Sequence, residues 1–125
     1  MSAGLQAQNL GRAWESHAAR YLEARGLKII ARGYRCRLGE LDIIGSDAAG
    51  LVVVEVRARR RGRFGSALET VGPHKQRRIV LATRHYLMHH PEWLSRPIRF
   101  DVVAIDDIDG AKPRVRWVRS AFDAA

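Results

Sequence analysis

The sequence is poor in cysteine, in aromatic residues and in long apolar runs, and each shortage excludes a class of protein. A lone cysteine, Cys36, excludes an internal disulfide framework and is typical of the reducing cytoplasm. No apolar run approaches the roughly 20 residues that cross a bilayer, and the N-terminus lacks the segments of a signal peptide. Aromatic residues make up only 7% and are not interleaved with basic ones as in RNA-binding sheets. We therefore expect a soluble cytoplasmic protein with no membrane partner.

Acidic residues are also scarce relative to basic ones. The chain has 22 Lys and Arg residues, most of them Arg, against 13 acids, for a net charge of +9. This surplus predicts a polyanionic partner, with nucleic acid favoured and DNA expected, although a solvated basic surface is the alternative. The 46% of hydrophobic residues in 125 predicts one packed domain, residues 1–125. Oligomeric state stays open, a dimer included.

Hydrophobic spacing and turn residues predict an α/β protein with the element order αβββαββ. The predicted helices cover residues 9–25 and 74–90, and the predicted strands cover 27–34, 41–44, 51–57, 97–105 and 114–118. A helix between the third and fourth strands permits a parallel crossover. The result is a mixed five-stranded sheet flanked by two helices.

Two of these strands each carry one acid among apolar residues, Asp42 and Glu55. The small and polar residues 46–50 predict a β-hairpin, in which Ser46 pairs with Leu51 and Asp42 with Glu55. Opposed side chains lie about 5 Å apart, so the two carboxylates can chelate one hard divalent cation. The alternative is a structural ion-pair network in which Arg57, on the same face, holds Glu55.

A run of arginines follows Glu55 directly. We predict that this run contacts nucleic-acid phosphates, with Lys75 on the second helix adding to it. The predicted contact residues are Arg59, Arg60, Arg61, Arg63 and Lys75. The sequence shows no motif for reading bases, which favours structure-selective or non-specific binding.

The order Asp, gap, Glu-Val-Arg resembles the PD-(D/E)XK core of metal-dependent nucleases. A longer set of motifs resembles the YraN-like bacterial family over about residues 9–122, the expected core of the domain. That set comprises Glu15, Gly39-Glu40-Leu41-Asp42-Ile43-Ile44, Val54-Glu55-Val56-Arg57, Phe64-Gly65, Lys75 and Arg99-Phe100-Asp101-Val102-Val103. The resemblance implies a restriction-endonuclease-like fold.

The resemblance also implies a function, namely Mg²⁺- or Mn²⁺-dependent hydrolysis of phosphodiester bonds in branched or structured DNA. It assigns Asp42 and Glu55 as metal ligands and adds a helical Glu15 to the site. Arg57 stands where these nucleases have Lys. Arg keeps the charge but cannot easily lose a proton, so a non-catalytic binding module that kept the fold is the alternative function.

Three acids have simpler interpretations. Glu15 is a solvated helix acid paired with Arg12 if it is not in the site. Glu40 is expected to pair with Arg57 or Arg59 across the hairpin. Asp101 is expected to pair with an arginine such as Arg99 rather than to bind metal.

Overall fold

The computed structural model describes residues 3–60 and 67–124. Within these two ranges, two helices and five strands occur in the predicted order, with short 3-10 turns at Leu68–Thr70 and Pro91–Trp93. The elements are α1 Ala3–Ala24, β1 Lys28–Cys36, β2 Gly39–Ser46, β3 Leu51–Ala58, α2 Pro73–His89, β4 Ile98–Asp106 and β5 Arg114–Phe122. Within the described ranges, no helix combines the length and apolar character needed to span a bilayer.

The strands form one sheet in the order β1-β2-β3-β4-β5. Neighbours are antiparallel except for β3 and β4, which are parallel and are connected through α2. This confirms the predicted mixed sheet. A parallel pair needs such a crossover, whereas the antiparallel pairs are joined by short turns.

The two helices cover opposite faces of the sheet. On β3, Leu51 and Val53 join the core cluster that contains α2, while Val52 and Val54 join the cluster that contains α1. Because successive strand residues point to opposite faces, this central strand reads as one continuous apolar run. Cys36 is half-buried and packs against the α2 cluster.

The turn between β2 and β3 fixes the register of the hairpin. The Asp47 side chain accepts hydrogen bonds from the backbone N–H groups of Ala49 and Gly50. A side chain at Gly50 would place a Cβ atom 2.1 Å from the carbonyl oxygen of Pro97, so only glycine fits there. The resulting pairs include Ser46 with Leu51, which confirms the predicted register.

At the far edge of the sheet, β5 extends to Phe122, four residues beyond the predicted end. A register shift interrupts its pairing with β4, and Ser120 in this stretch has a φ of 51°. The fully buried Asp101 holds the irregular segment by accepting from Ser120 N at 2.9 Å and from Trp117 Nε1 at 2.9 Å. Arg99 Nε also donates to Asp101, which confirms that predicted pair.

Candidate active site

The candidate site lies where β2 and β3 separate. Backbone pairing between these strands runs from Ser46 with Leu51, next to the turn, to Ile43 with Val54. Beyond it, the Val56 N–H donates to Asp42 Oδ2 at 2.9 Å. The side chain of Asp42, and not a backbone carbonyl of β2, thus accepts the hydrogen bond of this β3 amide. The next position of the same register brings Asp42 opposite Glu55, and the two carboxyl groups lie close enough for each to shift the pKa of the other. The structure therefore brings together the two acids that the register argument paired.

Glu55 is the more strongly perturbed acid of the pair. Burial, as the larger cause, and the neighbouring Asp42 carboxylate together raise the pKa of Glu55 to about 8. Burial also raises the pKa of Asp42, despite the hydrogen bond from Val56 N–H. Because the pKa of Glu55 lies at about 8, the pair keeps one proton near neutral pH.

Two cations approach the same oxygen of Glu55. Lys75 Nζ lies 3.5 Å and Arg57 Nη1 lies 3.8 Å from Glu55 Oε1. The Arg57 guanidinium is anchored from its other side, because Arg57 Nε donates to Thr70 Oγ1 at 2.7 Å. Thr70 in turn donates to the carbonyl oxygen of Ala67 at 2.6 Å. Lys75, in the first turn of α2, therefore brings an amine to the carboxylate of Glu55, beside the guanidinium of Arg57.

α1 contributes a third acid, Glu15. Its pKa is raised, first by burial and then by the Asp42 carboxylate. Arg32 Nε lies 3.4 Å from Glu15 Oε1, and Arg32 also donates to Ser16 Oγ. The partner of Glu15 is thus Arg32 on β1, which lies beside α1, and not the Arg12 of the alternative interpretation.

All five of these predicted residues line one polar cleft of about 270 Å³. The lining consists of Glu15, Asp42, Glu55, Arg57 and Lys75, together with Gly11, Arg12, Arg35, Glu40 and Val56. The helices supply Glu15 and Lys75, and the strand pair supplies the remaining three. Residues that are distant in sequence thus form a single charged site.

The predicted basic run after Glu55 does not line this cleft where the structure describes it. Arg59 N donates to the carbonyl oxygen of Ile105, which ties its backbone to β4, and Arg60 is exposed. Arg61 and Arg63, with the Phe64-Gly65 motif, lie outside the described residues. The phosphate-contacting role of this run stays a prediction.

Sequence reasoning missed Arg35 and misplaced Glu40. Arg35 Nε lies 3.5 Å from Glu40 Oε1, so the expected pairing of Glu40 with Arg57 or Arg59 is wrong. The physical reason is that β2 has a neighbour on each side, and Glu40 lies directly opposite Arg35 on β1. Extending the register argument to the β1–β2 hairpin could have found this pair.

The donor set of the cleft fits a small divalent cation. Among residues 3–60 and 67–124, no group of three or more His, Cys, Asp or Glu residues forms a preformed metal cage. Asp42 and Glu55 nevertheless offer paired carboxylate oxygens, which suit Mg²⁺ and Mn²⁺, and Glu15 shares their cleft. The pKa values of all three acids are raised, so a cation would relieve the cost of their ionisation.

Comparison with known proteins identifies the family. The model described as "Uncharacterised protein family UPF0102" matches residues 14–105. The chain belongs to the UPF0102 family. This confirms the predicted YraN-like membership, and all five cleft residues that the sequence singled out lie inside the matched range.

Relatives with the UPF0102 name match along most of their length. The protein of Nitrosococcus oceani is 47% identical over 108 residues, which cover 86% of each chain. That of Methylococcus capsulatus is 46% identical over 110 residues, covering 88% of this chain and 87% of the relative. The protein of Pseudomonas fluorescens is 42% identical over 117 residues, which cover 94% of this chain and 95% of the relative.

In this member of the UPF0102 family we expect stability to fall as the pH rises from about 4.5 to 8. The folded pKa of Glu55 is raised above the unfolded value, so the folded state binds more protons in this window. Its contribution is full below the unfolded pKa and is lost as the pH rises through the folded one. Without metal, the free energy of unfolding should decline by about 1–3 kcal/mol across the window.

Chemical denaturation in EDTA at a series of pH values measures this decline. Glu55→Gln should make the curve flatter, because glutamine does not titrate, whereas Glu23→Gln on the exposed part of α1 should leave it unchanged. An equally steep curve in Glu55→Gln would contradict the assignment of the raised pKa to this site.

Proposed function

We propose that this protein is a Mg²⁺- or Mn²⁺-dependent endonuclease that hydrolyses phosphodiester bonds in nucleic acid, with branched or structured DNA as the expected substrate. The observation that carries the proposal is the carboxyl pair of Asp42 and Glu55, flanked by two cations in one polar cleft. The element order, the parallel β3–β4 pair and the resemblance of the motifs support a restriction-endonuclease-like fold of the PD-(D/E)XK class.

The acidic and the basic residues of the cleft would have different roles in the reaction. Asp42 and Glu55 would hold the ion, which when bound supplies a Lewis acid and makes water a stronger acid. Glu15 adds negative charge beside them. Arg57 and Lys75 would stabilise the negative charge that develops on the phosphoryl oxygens in the transition state.

The two cations differ in what they can do with a proton. A guanidinium stays protonated, and Arg57 is held by Thr70, so it serves as a fixed positive charge. Amines, unlike guanidinium groups, take part in proton transfer in many enzymes, so Lys75 supplies a kind of group that Arg57 does not. The presence of Lys75 at Glu55 is what favours catalysis over the alternative of a binding module that lost turnover.

A titration of divalent metals combined with a cleavage assay tests the proposal. The substrates are branched, flapped, duplex and single-stranded DNA and the matching RNA, each with Mg²⁺, Mn²⁺, Ca²⁺ or EDTA. We expect cleavage with Mg²⁺ or Mn²⁺ and none in EDTA. Binding of nucleic acid without cleavage under any metal would favour the binding module instead.

A further inference from the structure

Two more clefts adjoin the candidate active site, one on each side. The first, of about 400 Å³, extends towards α1 and β1, and the second, of about 450 Å³, extends towards α2. Arg35 and Glu40 line both of these clefts and the central one as well. The three clefts therefore adjoin one another at the Arg35–Glu40 ion pair, and we call the three together the β1 groove.

The outer parts of the β1 groove carry more arginine and lysine than acid, and its centre carries the carboxyl pair. Towards α1 the groove is lined by Arg12 and by Arg32, which is paired with Glu15, and towards α2 it is lined by Lys75 and Arg78. The carboxyl groups of Asp42 and Glu55 occupy the central cleft. A chain of phosphates running along the groove would thus meet cations on both sides and the carboxyl pair in the middle.

The ion pair at the junction is exposed and adjustable. The side chain of Arg35 is 71% exposed and that of Glu40 is 42% exposed, and their closest atoms are 3.5 Å apart. Such a surface pair contributes little to stability, so Arg35 can leave Glu40 at small cost. A phosphate offers a guanidinium the same bidentate geometry as a carboxylate.

We propose that the sugar-phosphate backbone of a nucleic acid lies along the β1 groove and that Arg35 exchanges Glu40 for a phosphate when it binds. This inference rests on the proposed function and adds to it the path of the substrate, including a binding residue that the sequence motifs did not indicate. Glu40 then acts as a competitor of the substrate for Arg35.

The chain contains a matched control for this pair. Arg114 Nε lies 3.0 Å from Asp107 Oδ2, with the two side chains 75% and 31% exposed. Neither residue lines any of the three clefts that form the groove. Asp107 has a φ of 57°, which asparagine also adopts readily, so Asp107→Asn changes charge without backbone strain.

Equilibrium binding to fluorescent duplex and single-stranded DNA, in EDTA over a range of salt concentrations, tests the path. Glu40→Gln should tighten binding about two- to fivefold, because the competing surface pair is removed. Arg35→Ala should weaken binding and make the log–log salt dependence shallower by about 0.9 for the lost phosphate contact on duplex DNA. Asp107→Asn and Arg114→Ala change the net charge equally and should show neither effect.

The inference would be overturned if binding affinity and its salt dependence changed equally in the Arg35 and Glu40 variants and in the Asp107 and Arg114 variants. Only the overall charge of the protein would then determine binding. If this happens while the wild type still cleaves DNA with Mg²⁺ or Mn²⁺, the groove is wrong and the proposed function stands. If the wild type binds neither DNA probe at any salt concentration, the groove is wrong as well, and the cleavage assay decides the function separately.

Discussion

We expect Glu55→Gln to lower the rate of metal-dependent cleavage by at least about two to three orders of magnitude while the protein stays folded. The pKa of Glu55 is about 8, so near neutral pH the metal-free protein already favours an uncharged side chain at this position. Glutamine has the same shape and is also uncharged, and it therefore reproduces the metal-free state. It cannot become the anionic ligand that a divalent cation requires.

Single-turnover cleavage and thermal unfolding, measured on the same preparations, separate these two effects. Glu23→Gln, an exposed change on α1, should match the wild type in both measurements. Cleavage that persists in Glu55→Gln at the wild-type rate would mean that the activity belongs to another site or to a contaminant. A collapse of stability together with activity would instead indicate a structural role for Glu55.

The hairpin that carries this site could be predicted because its determinants are local. Turn residues around Asp47 and Gly50 set the register, because the Asp47 side chain bonds the backbone of the turn and only glycine fits at position 50. The pairing of Asp42 with Glu55 followed from counting alone. The parallel position of β4 also followed, since a helix of crossover length separates it from β3.

Other parts of the site could not be predicted, because they depend on how separate elements pack. The contact of Lys75 with Glu55 cannot be predicted from the sequence of α2, because it depends on how the helix is rotated against the sheet. The partner of Glu15 depends in the same way on which strand lies beside α1. The length of β5 was underestimated because the irregular stretch at Ser120 interrupts the alternation of its side chains.

We expect Lys75→Ala to lower cleavage by about a hundredfold or more, the scale of a lost proton-transfer or charge-stabilising group. Lys75 Nζ and Arg57 Nη1 both lie within 4 Å of Glu55 Oε1, so they serve the same part of the site. Arg77→Ala on the same helix, exposed and outside the cleft, is the control and should keep wild-type activity.

Placing an amine at position 57, whose side chain approaches the same oxygen of Glu55, distinguishes the chemistry of Lys75 from its charge. In the wild-type background, Arg57→Lys should raise the rate of cleavage. In the Lys75→Ala background, it should raise the residual rate at least about tenfold, because an amine again reaches the same carboxylate. Lys75→Arg keeps the charge and should remain slow, because a guanidinium does not readily exchange its proton. If Lys75→Arg is fully active and Arg57→Lys rescues nothing, Lys75 acts only as a positive charge that holds Glu55, and proton transfer must be assigned elsewhere.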